Sequence, residues 1–212
     1  VDTVRRLVAD QFPEWAHLSV RRVATAGTVH AIFRIGAELG ARFPLRLIDP
    51  DAARAWLAQE ARAQAEFARV SPFPTPAPER IGRPGDGYPM PFTVQSWVAG
   101  RAPGVGECVD SVGLADDLAR LIHTLRAAPT GGRVFRGSGR GGSIPDHDDW
   151  MQTCIALNAP WFDPAGSEAL WAHLRAAPRS GPDVMTHGDL VPGNVLIEHG
   201  RLVGVLDAGG FG

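Results

Sequence analysis

The spacing of apolar and polar residues changes several times along the chain, and each change marks an element. Residues 3–10 carry apolar side chains at helical spacing and predict a helix, with residues 14–18 as its connection onward. The stretch SVRRVATAGTVHAIFRIGAELGARFPLRLI then alternates and carries β-branched residues around small turn residues. It predicts three strands, at about 19–25, 30–36 and 42–48. Asp49 or Asp51 can cap the helix that follows, DPDAARAWLAQEARAQAEFARV. At about 100° per residue, Trp56, Glu60, Ala63 and Phe67 share one face of it. Glu60 therefore points with apolar side chains, and a charge aimed into packing needs a partner. Neither Arg54 nor Arg62 stands at the preferred helical spacing from it. Glu66 sits well off that face.

SPFPTPAPERIGRPGDGYPMPF is dense in Pro and Gly and predicts an extended connection with a strand near Glu79–Gly82. FTVQSW reads as a buried strand and VAGRAPG as a loop, which makes the best boundary between two lobes. VGLADDLARLIHTLRA, residues 112–127, predicts an amphipathic helix with Leu114, Leu118, Leu121 and Leu125 on its apolar side. Residues 149–157 and 167–176 read as helices. The last stretch, DVMTHGDLVPGNVLIEHGRLVGVLDAGGFG, predicts a short strand, a loop and a hairpin turning at His199-Gly200. Gly137, Gly139 and Gly142 spell G-x-G-x-x-G. A dinucleotide site needs that pattern between a buried strand and a helix, and here it reads as a flexible loop.

Composition narrows the class. The 212 residues suit one large domain or two small lobes, and 44% hydrophobic with 21% charged residues describes a soluble globular chain. A formal net charge of -2 gives no reason to expect nucleic acid or an anionic membrane as partner. Cys108 and Cys154 form no metal-spaced pair, so a reduced, cytoplasmic protein is expected. No apolar run is long enough to span a bilayer. All 21 Lys+Arg residues are Arg, so any task usually given to Lys falls here to Arg.

HGDLVPGN, residues 187–194, concentrates the candidate chemistry. Turn residues alone would account for Pro192, Gly193 and Asn194. The hairpin changes the reading, because a two-strand hairpin brings its two ends together. Asn194 and Asp207 should then lie side by side, with Asp189 in the loop beside them. That set suits phosphoryl transfer. The reaction needs a carboxylate to orient the attacking hydroxyl and accept its proton, and oxygen ligands for Mg²⁺. Asp189 is placed for the first role, Asn194 and Asp207 for the second. His187 is expected to hold the loop by hydrogen bonds.

HGDLVPGNVL followed by GVLDAGG resembles the protein-kinase H-x-D-x-x-x-x-N loop and D-x-G element, in the H-G-D form of the aminoglycoside phosphotransferase family. AGTVHAIFRIG, EARAQAEFA, GYPMPFTVQSWVAG, LADDLARLIHTLRA and HDDWMQTC follow in the family's order, so the resemblance spans nearly the whole chain. It implies a protein-kinase-like α+β fold: an antiparallel-sheet lobe over residues 1–98 and a mostly helical lobe over 99–212. It also implies Mg²⁺-dependent transfer of the γ-phosphate of ATP or GTP to a small-molecule hydroxyl, such as that of an aminoglycoside or other antibiotic. Ala26 to His30 would form the turn covering the nucleotide. Arg46, on the third strand, would stand where the family often has Lys binding the α/β-phosphates, with Glu60 as its partner. Arg in place of Lys keeps the charge, gains a bidentate fork and changes reach. Backbone groups of Ser96 and Val98 would hold the base edge, with Trp97 between them read as packing.

Two features depart from the family. Ala208 stands where an aromatic often follows the metal-binding Asp. More helices usually follow that Asp, so the second lobe is expected to be incomplete. The rival reading is a non-catalytic nucleotide-binding protein on the same fold. Retention of Asp189, Asn194 and Asp207 together counts against it. Asp146, Asp148 and Asp149 are read as partners of a helix N-terminus.

Overall fold

The computed structural model describes residues 1–24, 29–134, 141–178 and 181–212. Ala26–Thr28 of the expected nucleotide-covering turn, and Gly137 and Gly139 of the glycine-rich loop, lie outside them. Helix α1 (Asp2–Gln11) precedes five strands: β1 (Val20–Val23), β2 (His30–Ile35), β3 (Leu39–Pro44), β4 (Pro78–Gly82) and β5 (Phe92–Ser96). They form one antiparallel sheet in the order β1-β2-β3-β5-β4.

Alternation decides what each face of this sheet holds. Phe33, Ile35, Ala41, Phe43, Phe92 and Val94 form a core with Val4, Leu7 and Val8 of α1. Phe43 stacks on Phe92 with ring centroids 4.5 Å apart. Their sequence neighbours, His30, Ile32, Arg34, Gly40, Arg42, Thr93 and Gln95, are thereby left to the other face. Helix α2 (Pro50–Val70) lies on that face, where Gln64 donates to Gln95 at 3.1 Å.

The third strand was expected at 42–48 and is found at Leu39–Pro44. Pro44 has no N–H to continue the ladder, and the chain leaves the sheet there. It turns into Asp49, whose side chain caps α2 by accepting the Ala52 N–H at 2.9 Å. Pro50 occupies the first helical turn, where its missing N–H costs nothing.

The second core surrounds Phe67, which is fully buried. Helix α3 (Val112–Ala127) contributes Leu114, Leu121 and Leu125. The hairpin of β6 (Val195–Glu198) and β7 (Arg201–Val205) contributes Val195, Ile197, Leu202 and Val205. The short strand expected before the H-G-D loop does not form among the described residues. Thr186 instead exchanges backbone hydrogen bonds with Gly212, at 2.8 and 3.3 Å. Asp117, on the buried face of α3, is the lock between helix and hairpin. It takes two bonds of 2.6 Å from Arg201 and one of 3.1 Å from the Leu202 N–H.

By internal packing the chain divides into two units, Val1–Pro129 with Met185–Gly212, and Thr130–Val184. The lobe boundary expected at residue 98 falls inside the first. The second holds α4 (Asp148–Asn158) and α5 (Pro164–Arg175). Asp148 joins these two helices by accepting from Trp171 at 2.8 Å and Arg175 at 2.5 Å. Among the described residues no helix is long and apolar enough to cross a membrane.

The bonds from Arg201 hold the Asp117 carboxyl below the usual carboxylate range. Its stabilisation is therefore complete above about pH 4, the ordinary Asp value, and is lost as pH falls through the lower folded value. Asp117→Asn should lower stability by about 1–2 kcal/mol at pH 7. The difference from wild type should shrink on acidification, as read by urea denaturation from pH 7 to pH 2. A difference that does not change with pH would contradict the lock.

Candidate active site

The inner face of the sheet, the middle of α2 and the open end of the β6–β7 hairpin meet at one guanidinium. Arg42, on β3, is half-buried. Its Nη2 donates to Oδ1 of Asp207 at 2.9 Å, and its Nη1 stands 3.9 Å from Oε2 of Glu60. Nη2 also lies 3.4 Å from Nδ1 of His30, on the neighbouring strand. Glu60 thus faces inward, as its helical phase requires, but its cationic neighbour is Arg42. Arg46 lies beyond the end of β3 and is exposed, which corrects the placement expected for it on that strand.

The backbone brings Asp207 into reach. Its φ of 57° and ψ of 43° are left-handed, a conformation Asp tolerates better than most residues. Ala208 is fully buried in the second core, and Gly209 then passes directly over α2. A methyl group on Gly209 would stand 3.0 Å from Cγ and 3.2 Å from Cβ of Glu60. Phe211 packs edge-on against Phe67 at 5.3 Å. An aromatic is therefore present three residues after Ala208, the position where the sequence pattern lacks one.

The H-G-D loop is tied to this hairpin through His187, which is 3% exposed. Its Nε2 lies 2.9 Å from the Leu206 carbonyl, and its Nδ1 takes the Asp189 N–H at 3.3 Å. A carbonyl only accepts and a backbone N–H only donates, so the ring is neutral with its proton on Nε2. Burial lowers its pKa below the ordinary histidine value, in agreement. Phe67 packs edge-on against the ring at 5.4 Å. His187 therefore holds the loop, as the sequence reading expected. Asn194 closes the loop from the other side: Nδ2 donates to the Asp189 carbonyl at 2.9 Å, and its own carbonyl accepts the Leu206 N–H at 2.8 Å. Asp189 is half-buried between them.

Electrostatics follow from this crowding. Burial raises the Glu60 pKa; the Arg42 charge opposes that shift, and the Asp207 charge adds to it. Burial, then the Arg42 charge, push His30 down to about 4, with Asp207 opposing. His30 is thus neutral at pH 7, stacked on Trp56 at 5.7 Å. Arg42 was missed by the sequence reading, although it was visible as an inward position on an alternating strand; His30 was read as the end of the nucleotide-covering turn and is found on β2.

Ser96 and Val98 stand where the sheet hands over to the hairpin. The Ser96 N–H is committed to the Ala77 carbonyl at 2.8 Å, and its Oγ to the Ala77 N–H at 2.8 Å. Any base contact by Ser96 falls to its carbonyl. Val98 packs its side chain toward Gly204, where a methyl group would meet Val98 Cγ1 at 2.6 Å. Among the described residues no three His, Cys, Asp or Glu side chains cluster as a metal site on their own.

Residues 19–210 match the Phosphotransferase enzyme family. The chain belongs to that family. Its fold is the kinase-like one of solved antibiotic phosphotransferases. The GDP complex of wild-type aminoglycoside 2′-phosphotransferase-IIIa superposes with a TM-score of 0.71 at 21% identity, over 98% of this chain and 72% of that one. The GDP and kanamycin complex of APH(2″)-IIIa gives 0.67 at 21% identity, again over 98% and 72%. The apoenzyme of macrolide 2′-phosphotransferase MphH from Brachybacterium faecium gives 0.64 at 21% identity, over 100% and 72%. None of the curated proteins matches the chain.

The close pass of Gly209 over Glu60 yields a test of the cluster's construction. Gly209→Ala should displace Glu60 or the turn after Asp207 and lower stability by about 1–3 kcal/mol. Differential scanning fluorimetry reads the loss; an unchanged melting temperature would show that the turn has room.

Proposed function

We infer that this chain transfers the γ-phosphate of ATP or GTP to a hydroxyl group of a small molecule. The observation that carries the reading is the junction at Arg42. One guanidinium joins the sheet, α2 and the hairpin, and the loop bearing Asp189 is tethered to that same hairpin. Phosphoryl transfer relies mostly on such positioning and on charge neutralisation.

In this reading Arg42, rather than Arg46, meets the nucleotide phosphates, and Glu60 orients it. A guanidinium fork can hold a phosphate oxygen while remaining paired to a carboxylate. The Ser96 carbonyl and the Val98 backbone take the base edge. Asp189 receives the acceptor hydroxyl and its proton. The Asn194 side-chain oxygen and the Asp207 carboxylate are hard oxygen donors, and Mg²⁺ is commonly held by one or two such groups together with substrate phosphates. The donor set therefore fits Mg²⁺, which when bound would neutralise charge on the phosphates. A cytoplasmic setting suits a reaction that draws on these co-substrates.

Kinship supports a first set of acceptors. Kanamycin is bound in one of the similar structures, and a macrolide phosphotransferase is another. Aminoglycosides and macrolides are thus the first acceptors to try, followed by amino alcohols and sugars. Mass spectrometry after incubation with ATP or GTP and Mg²⁺ should show one added phosphoryl group on one class. Asp189→Ala should abolish that product and leave nucleotide binding intact. Arg42→Ala should weaken nucleotide binding roughly tenfold or more, whereas Arg46→Ala should stay within about twofold. Equal losses at the two arginines would overturn the assignment to Arg42.

A further inference from the structure

Helix α2 does not close against the whole inner face of the sheet. A cleft of about 200 Å³ remains between α2 and the paired strands β4 and β5. Both walls explain why it stays open. On the helix side it is lined by Leu57, Glu60, Ala61 and Gln64, a single stripe at i, i+3, i+4 and i+7. Ala61, the smallest of them, sits within that stripe and leaves space in front of it. On the sheet side, β4 is the edge strand, and its register with β5 slips between Pro78 and Arg80. Such a slip bends a strand and increases its twist, so β4 does not continue flat beneath α2. Ile81, paired with Thr93, faces the cleft from this edge.

The cleft carries polar groups that the fold does not use. Gln64 is 5% exposed, and its Nε2 donates to Oε1 of Gln95 at 3.1 Å. Gln95 lines the cleft from β5. That one bond fixes the two amides against each other and leaves half of each over. Among the described residues, Oε1 of Gln64 accepts from no other group and Nε2 of Gln95 donates to none. Turning both amides over exchanges the roles and still leaves one acceptor and one donor. Polar groups left unpaired in a buried place are costly, so this pair calls for a further partner. A carboxamide or lactam supplies a C=O and an N–H side by side, the complement of what the two glutamines leave free. The charged side chains bordering the cleft are Arg42, Arg80, Glu60 and Glu79, which together carry no net charge to select an ion. The volume lies below the roughly 300–1,000 Å³ of sites for drug-sized molecules, so the occupant is a single small ring.

We propose that this cleft is a binding site for a small, uncharged, planar carboxamide or lactam, hydrogen-bonded by Gln64 and Gln95 and seated against Leu57, Ala61 and Ile81. The site is separate from the phosphate and hydroxyl roles assigned above and does not require them. It borders them through Arg42 and Glu60, so an occupant would bridge α2 and β5 next to the junction that holds Asp207.

The probe is benzamide, and its control is toluene, which carries a methyl group in place of the amide. Nuclear magnetic resonance of the isotope-labelled chain reads the side-chain amide signals of Gln64 and Gln95, assigned with Gln64→Leu and Gln95→Leu. In wild type both signals should shift saturably with benzamide and stay unmoved by toluene. Gln64→Leu should weaken benzamide binding roughly fivefold or more, the scale of one buried hydrogen bond. Ala61→Phe fills the cleft from the helix, and should abolish benzamide binding and leave nucleotide affinity unchanged. No saturable shift with benzamide, an equal response to toluene, or unaltered benzamide binding in both variants would overturn the proposal. So would a parallel loss of benzamide and nucleotide in Ala61→Phe, since the cleft would then be part of the nucleotide site. Circular dichroism checks that each variant folds; where one does not, the other variant and the toluene comparison in wild type decide. A wild-type protein that takes benzamide but no nucleotide defeats the phosphoryl-transfer reading and leaves this one standing. One that takes nucleotide but no benzamide does the reverse.

Discussion

The guanidinium of Arg42 is the constraint on which the site depends. It comes from a strand whose other face is consumed by the α1 core, so it must emerge on the α2 side. There it meets one carboxylate from a helix and one from the end of a hairpin. Glu60 and Asp207 are like charges brought to one guanidinium, and the cation between them offsets their repulsion. The shift on Glu60 records the balance, since burial and Asp207 push it up while Arg42 pulls it down. An arginine suits this bridge better than a lysine would, because its fork presents separate N–H groups to separate acceptors.

The rest of the first unit serves to deliver these groups. Phe67 lies at the centre of the second core and touches both His187 and Phe211 edge-on, so the loop before Asp189 and the turn after Asp207 pack on one side chain. Gly209 permits the turn to lie against α2 beside Glu60. Asn194 and His187 satisfy the Asp189 backbone from two directions. Positions that look like turn chemistry in the sequence are in this way load paths between the acid that would handle the hydroxyl and the acid that would hold the metal.

Much of this was legible in the sequence. Helical phase alone turned Glu60 inward, and the structure gives it a cation from outside its own helix. The His199-Gly200 turn set the hairpin, and with it the nearness of Asn194 to the strand before Asp207. Helix α3 was read with the ends it has. The choice between Arg42 and Arg46 was not legible from alternation, because two residues four apart on a strand share a face. Only the strand's end separates them, and Pro44 was the available signal. Trp97 was read as packing, and its ring does pack, against Gly40 on the paired strand β3 and under the Arg34 guanidinium. The short strand expected before the H-G-D loop did not form; Thr186 there exchanges backbone hydrogen bonds with the single residue Gly212.

The central claim is that Arg42 holds Asp207 in the candidate site, and a double-mutant cycle measures this directly. Stabilities of wild type, Arg42→Gln, Asp207→Asn and the double variant should give a coupling energy of about 0.5–3 kcal/mol, the range for residues in contact. Asn keeps the left-handed backbone at position 207 accessible, so the cycle isolates the side-chain pair. A parallel cycle with Arg46→Gln should give a coupling near zero. Additive effects of Arg42 and Asp207, or a coupling that appears at Arg46 instead, would contradict the account.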